Sequence, residues 1–394
     1  MRRFRYLLEI AVLALLAIGL VVLASAGTTV AERFKVGTYH FVSHQAVWLA
    51  IGLVGLVAAA FFDYTAWRRK PWLTVALYAL IVLAMVAVFG FHAVNGSRRW
   101  IILGPIRIQP GEFAKLMCVI ATAVWLDRAD WRVRLLWKGV APICLIAGVL
   151  VGLAVLEPDF GTAFVIAVTF GAMLFVGGVK IWHILLMIGG GALVVLTVLL
   201  KNANRMRRII SWLPEQWRDQ VVQLLPISAP LSSADAHEAQ HQLNQALVAI
   251  QRGGLRGVGF NLSMQKQSYL PENHTDFIFA IGAEEWGIGF SMLVLALFTT
   301  IFACGLFIAM NAKDRLGKLL AFGVSFLLFF QALFNMAVVS GLMPTKGIAL
   351  PFMSYGGTNL LSALIAAGIL IGVSRQTGLQ NLREKSKINA VFSN

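Results

Sequence analysis

Apolar positions along the chain fall into long runs broken by short polar segments, with none of the strict two-residue alternation of a half-buried strand. Runs near 7–26, 44–62, 72–91, 112–126, 138–156, 160–179, 181–200, 276–309, 319–341 and 355–374 approach or exceed the roughly 17–25 residues that cross a bilayer as a helix. The eighth is too long for one span. Its polar start, Asp276 to Gly287, reads as an interfacial helix or a lip that dips back towards the membrane. The fourth is short and carries Glu112 and Lys115, so it is expected to face protein or water and not lipid. The pattern predicts an all-α polytopic membrane protein of about ten transmembrane helices. It forms one integral domain over 1–394, with a large outer loop at 201–275, between the seventh and eighth helices, and a short tail at 375–394.

Composition agrees. The chain is 59% hydrophobic and 13% charged, which excludes a soluble enzyme because too few polar groups exist to cover a globular surface. Its net charge of +15 would suit nucleic acid, but the Lys and Arg sit in short clusters between apolar runs, which points to membrane headgroups and away from nucleic acid. Counted over the short connections with the N-terminus inside, eighteen basic residues fall on the cytoplasmic side and six on the outer side. Both termini are therefore expected in the cytoplasm. Ala24-Ser25-Ala26 imitates a signal-peptide cleavage site, but the preceding apolar run exceeds the usual length of about 7–15 residues, so it reads as the first span. Cys118, Cys144 and Cys304 lie inside apolar runs at no metal-like spacing and read as packing residues.

Within 201–275, Arg205, Arg207 and Arg208 with Trp212 and Trp217 have the mixture found at membrane interfaces. Leu243, Ala246, Leu247 and Ile250 then repeat as one face of an amphipathic helix, ended by Gly253, Gly254, Gly257 and Gly259. His237-Glu238-Ala239-Gln240-His241 satisfies the H-E-x-x-H pattern of zinc peptidases. It sits in a polar loop without an evident third ligand, so a solvated helix start is the preferred reading over a protease.

Acidic residues near the outer ends of the runs are Glu112, Glu157, Asp159, Asp276, Glu284 and Glu285. Carboxylates in hydrocarbon are costly, so these should face the bundle interior or a wet cleft. Their shared side suggests an outward site for a polar, membrane-tethered substrate. The plain alternative is that helix ends carry polar residues. Glu112 and Lys115, three apart, can pair on one helix and neutralise each other. Arg98 and Arg99 suit bidentate phosphate recognition, and equally headgroup anchoring.

Two stretches carry a resemblance. Tyr269-Leu-Pro-Glu-Asn-His-Thr-Asp-Phe-Ile-Phe-Ala280, with Glu284-Glu285-Trp286-Gly287, resembles a signature of the SEDS family, the FtsW and RodA proteins. So does Gly341-Leu-Met-Pro-Thr-Lys-Gly-Ile-Ala-Leu-Pro-Phe-Met-Ser-Tyr-Gly-Gly-Thr358. Gly96-Ser-Arg-Arg-Trp-Ile, Gln109-Pro-Gly-Glu-Phe-Ala-Lys115 and Glu157-Pro-Asp-Phe-Gly-Thr-Ala163 match in order, so the resemblance covers nearly the whole chain. Gly111 and Thr358 stand where the family commonly has Ser. Ser263 to Glu272 and Pro344 to Gly347 resemble the FtsW, cell-division branch more than the RodA, elongation branch.

The resemblance implies a peptidoglycan glycosyltransferase that polymerises lipid II, the undecaprenyl-pyrophosphate-linked disaccharide peptide, at the outer face of the bacterial cytoplasmic membrane. The family's essential acid falls on Asp276, a candidate general base or ion ligand. Candidates for holding pyrophosphate or sugar are Arg98, Arg99, Glu112, Lys115, Asp159, Glu285, Lys346 and Ser354. No cofactor is evident in the sequence, and a divalent cation, magnesium or manganese, is an alternative source of positive charge. Implied partners are a single-pass class B penicillin-binding protein, other division proteins and membrane lipids. A lipid transporter or flippase is the competing class, lowered by the lack of an internal repeat. Gly356 and Gly357 read as residues permitting a tight turn before the tenth span.

Overall fold

The computed structural model of the chain describes residues 1–33, 35–92, 97–104, 106–200, 234–267, 270, 274–344 and 347–392. Its helices are α1 (Arg2–Arg33), α2 (His40–Phe61), α3 (Ala66–Arg69), α4 (Pro71–Ala87), α5 (Pro110–Ala129), α6 (Ala141–Leu156), α7 (Phe160–Val176) and α8 (Ile181–Leu200). They continue with α9 (Ala234–Gly253), α10 (Ile278–Asn311), α11 (Arg315–Val339) and α12 (Gly357–Phe392). Each of the ten apolar runs corresponds to one of these helices. Among the described residues, seven are, by length and composition alone, long and apolar enough to cross a bilayer. Of the other three, α7 has 17 residues, α5 carries Glu112, Lys115, Asp127 and Arg128, and α8, Ile181–Leu200, holds no Asp, Glu, Lys or Arg in its 20 residues.

As its charges require, α5 lies inside. It buries every residue except Phe113, Trp125, Asp127 and Arg128, and it packs against α4, α7 and α11. The second interior helix is α11, which also touches α7, α10 and α12. Early and late parts of the chain close the bundle together, because α12 lies along α2 in intimate contact. A Cβ on Gly368 would come within 2.4 Å of the Leu56 carbonyl oxygen, so the two backbones touch there. At the end holding the chain termini, Arg68 pairs with Asp127 at 2.7 Å and with Asp314 at 3.2 Å, tying three connections together. The opposite end, here the far end, carries the candidate site.

Several features depart from the sequence reading. Ile101–Leu103 and Ile106–Ile108 form a small antiparallel hairpin, β1 and β2, with Ile101 opposite Ile108, ahead of α5. Helix α10 breaks at Gly287, whose φ of 70° and ψ of −161° suit only glycine, so residues 278–286 form a separate half-helix. This is the lip expected at the polar start of the eighth run. The tail does not stop at the membrane: α12 continues to Phe392, through a stretch free of Gly and Pro after Gly378. Gly356 and Gly357 have no positive φ; Gly357 is needed for space, since a Cβ there would lie 2.2 Å from the Trp48 ring.

Helix α9 packs against α10 through Leu243, Ala246 and Ala249, which are buried, so the expected amphipathic face is the one used. Residues 201–233 of the outer loop, with the Trp and Arg mixture, lie outside the described residues, as does Lys346.

Candidate active site at the far end

The segment 347–356 ahead of α12 is irregular and yet enters the bundle. Leu350 and Ser354 are fully buried, Phe352 stacks on Phe298 of α10, and a Cβ on Gly19 of α1 would lie 2.7 Å from the Met353 Cα. Non-helical backbone at such depth survives only if protein groups satisfy its hydrogen bonds. Here side-chain amides do so in sequence order. Asn335 Nδ2 donates to the Ile348 carbonyl at 2.6 Å, Gln331 Nε2 to Ala349 at 2.9 Å and Asn359 Nδ2 to Leu350 at 3.4 Å. The Leu350 N–H donates to Ser354 Oγ at 2.8 Å, and Gln45 on α2 donates to the Ser354 carbonyl at 3.1 Å while accepting from the Gly356 N–H. Gln331 and Asn335 stand one turn apart on α11 and therefore share a face.

Glu112 and Lys115 belong to this scaffold. Lys115 Nζ lies 2.8 Å from Glu112 Oε1 and 2.8 Å from Gln331 Oε1, with both side chains of the ion pair buried, and Ser362 donates to Glu112 Oε2 at 3.4 Å. The pair thus stands behind the re-entrant segment and orients the amide that holds Ala349.

Asp276 lies just before the half-helix and is half-buried. Its carbonyl accepts from the same Asn335 Nδ2, at 2.8 Å. Its carboxylate lies over Gly347, where a Cβ would be 2.5 Å from Asp276 Oδ2, so any side chain there would push the carboxylate aside. On the other side of the segment a Cβ on Gly161 would lie 2.6 Å from Ile348 Cγ1 and 3.4 Å from the Gly347 carbonyl oxygen. That contact brings in the start of α7, capped by Asp159, which accepts from the Thr162 N–H at 3.1 Å, Thr162 Oγ1 at 2.8 Å and Gln109 Nε2 at 3.0 Å. Arg99 stands 4.0 Å from Asp159 Oδ1 and is partly exposed. Glu157, in the turn between α6 and α7, is buried with Oε1 unpartnered. Burial raises its pKa to about 8; Asp159 adds to the shift and Arg99 opposes it.

A ring of aromatic groups borders Asp276 towards α2. The Tyr355 N–H donates to the His274 carbonyl at 3.0 Å, its hydroxyl meets His44 Nδ1 at 3.2 Å, and Phe41 lies against both Tyr355 and His274.

The structure brings Asp276, Asp159 and Arg99 into one neighbourhood through Gly347 and Gly161. It sets Glu112, Lys115 and Ser354 in the supporting shell. Arg98 is exposed and donates to the Phe89 carbonyl at 2.9 Å. Glu285 occupies a separate buried cluster: Lys266 Nζ is 3.3 Å away, Ser25 of α1 donates to its Oε1, and Lys266 also reaches Asn261. Its neighbour Glu284 accepts from Ser263 Oγ and from the N–H groups of Met264 and Gln265 at 3.1 and 3.3 Å. These two acids fasten the 254–267 connection to the half-helix. Sequence reasoning passed over Asn335, Gln331, Asn359 and Gln45; the available signal was two amides one turn apart in an apolar span. The side chains of His237 and Glu238 lie outside the described residues. Among those described, no three His, Cys, Asp or Glu converge as metal ligands.

Fold and site together define a polytopic helical membrane protein that presents one half-buried carboxylate beside an amide-held re-entrant segment. Residues 6–379 match the sequence model of the FtsW, RodA and SpoVE cell cycle proteins, and the chain belongs to this family. It is 36% identical over 374 residues to the probable peptidoglycan glycosyltransferase FtsW of Coxiella burnetii, covering 93% of this chain and 95% of that one. The protein of the same description from Nitrosococcus halophilus is 37% identical over 390 residues, covering 97% and 94%. Among solved structures, a chain of a peptidoglycan synthase complex that coordinates polymerization and crosslinking superposes with a TM-score of 0.70 at 28% identity, covering 94% of this chain and 97% of that one. The rod shape determining protein RodA of Thermus thermophilus superposes with a TM-score of 0.63 at 25% identity, covering 94% and 96%.

Proposed function

We propose that this chain is the peptidoglycan glycosyltransferase of a cell-division synthase, polymerising lipid II at the outer face of the cytoplasmic membrane. The observation that carries the reading is the Asp276 carboxylate, seated over Gly347 at the far end, in a chain whose relatives are described as FtsW glycosyltransferases. Excess basic residues on the opposite connections support a cytoplasmic terminal end, which turns Asp276 outwards.

In this reaction the sugar hydroxyl of one lipid-linked disaccharide attacks the anomeric carbon of the lipid-linked glycan. Its oxygen forms the new C–O bond, its proton passes to Asp276, and the bond from the anomeric carbon to the phosphate oxygen breaks, with the pyrophosphate keeping the electron pair. Arg99, 4.0 Å from Asp159, is a described cation of this neighbourhood suited to the developing phosphate charge. The partner is a single-pass class B penicillin-binding protein, a reading supported by the likeness to a synthase complex. The curated relatives named FtsW support the division branch and a place at the septum.

The test is glycan polymerisation from lipid II by the purified partner complex with its transpeptidase blocked. Wild type is expected to make strands and Asp276→Asn to make none at equal folding. Equal activity of the two would remove Asp276 from the chemistry.

A further inference from the structure

We propose that Asn335 is a positioning residue for the base: its side-chain amide sets where the Asp276 carboxylate stands over Gly347. The inference rests on the glycosyltransferase reading above. A primary amide nitrogen carries two hydrogens, and Asn335 spends both on carbonyls of different segments, Asp276 at 2.8 Å and Ile348 at 2.6 Å. Those segments lie 59 and 13 residues away in sequence, and Asn335 itself is buried at 2% exposure. The planar amide therefore fixes two backbones relative to each other at one point. On one of them the pinned carbonyl belongs to Asp276 itself, the residue that carries the carboxylate. On the other the pinned residue follows Gly347, the floor beneath the carboxylate.

The other amides act differently. Gln331 and Asn359 hold Ala349 and Leu350 and bridge to each other at 3.3 Å, and neither donates to the Asp276 segment. They secure the re-entrant segment alone; Asn335 joins it to the base. A base displaced by about 1 Å can lose on the order of 100-fold in rate without a comparable loss of substrate binding.

This contrast supplies the experiment. In the partner complex with lipid II, Asn335→Leu keeps the branched outline of the side chain and removes both donors, and Asn359→Leu removes a clamp that does not reach Asp276. Asn335→Leu is expected to lower kcat about 100-fold with KM within about threefold, while Asn359→Leu is expected to keep at least about tenfold more kcat than Asn335→Leu. Gly347→Ala crowds the same carboxylate without touching α11 and is expected to show the same split, so the proposal can be tested even if Asn335→Leu fails to fold. The kcat losses of Asn335→Leu and Gly347→Ala should combine less than additively, because both displace one group. Equal effects of Asn335→Leu and Asn359→Leu, a loss confined to KM, or full activity of Gly347→Ala would overturn the proposal. An inactive wild type, or an active Asp276→Asn, would instead remove the reaction on which it rests.

Discussion

Replacing Lys115 with Met is expected to destabilise the bundle more than replacing Lys115 and Glu112 together. The ammonium lies 2.8 Å from Glu112 and 2.8 Å from Gln331, and the paired side chains are only 4% and 7% exposed. Without it, the Glu112 carboxylate keeps one long hydrogen bond, from Ser362 at 3.4 Å. An uncompensated buried charge costs about 3–5 kcal/mol, and the orphaned Gln331 oxygen adds about 1–3 kcal/mol. Changing Glu112 to Gln in the same chain removes the charge, and the new amide can donate to Gln331. What then remains is about 1–2 kcal/mol for imperfect hydrogen bonding. The two single losses should therefore exceed the double by at least about 2 kcal/mol. Equilibrium unfolding in mixed micelles, followed by the fluorescence of the eleven Trp, measures all four corners of the cycle. A cost below about 1 kcal/mol for Lys115→Met, typical of a surface pair, or strict additivity, would refute the argument.

Three further expectations concern other parts of the site. Folded chains hold the Glu157 proton up to about pH 8, while the unfolded carboxyl releases it near 4.5, so folding takes up a proton between those values and stability falls as pH rises through that window. Glu157→Gln is accordingly expected to run parallel to wild type in melting temperature below about pH 4.5, to gain on it progressively up to about pH 8 and to keep that gain above; curves parallel throughout would count against the burial argument. Glu284→Gln should speed amide exchange at Met264 and Gln265, whose N–H groups it holds, and leave Leu319 in α11 protected; unchanged exchange at 264 and 265 would show that the loop is fastened elsewhere. Asp276→Asn should abolish strand formation with little change in melting temperature, as measured on the same purified complex.

The bilayer explains why the ten apolar helices could be read from the chain: hydrocarbon demands a continuous apolar length, and little else about the sequence matters for that demand. The interior place of α5 was legible for the complementary reason, that Glu112 and Lys115 cannot face lipid. Two three-residue strands carry too little pattern to be seen, and β1 and β2 were missed. Glu112 and Glu285 look alike in sequence, each an acid near the outer end of an apolar run. Their partners decide their roles, and those partners are remote: Gln331 is 216 residues from Lys115, and Ser25 is 260 from Glu285. Asn335, Gln331 and Asn359 were overlooked because an uncharged amide in an apolar run resembles a merely tolerated polar residue. Only the depth of the 347–356 segment reveals what they hold.

The arrangement of Glu112 and Lys115 also bears on how the chain is made. Helix α5 enters the membrane long before α11 has been synthesised. At about 5–20 residues per second, the 216 residues separating Lys115 from Gln331 take about 10–40 s to translate. During that interval the Lys115 ammonium has neither Gln331 nor any other group from α11 or α12 to receive it. Its acidic counterpart is already present three residues earlier on the same helix. The newly inserted helix therefore brings its own neutralising contact, and the later helices complete a polar cluster that was electrically balanced from the start.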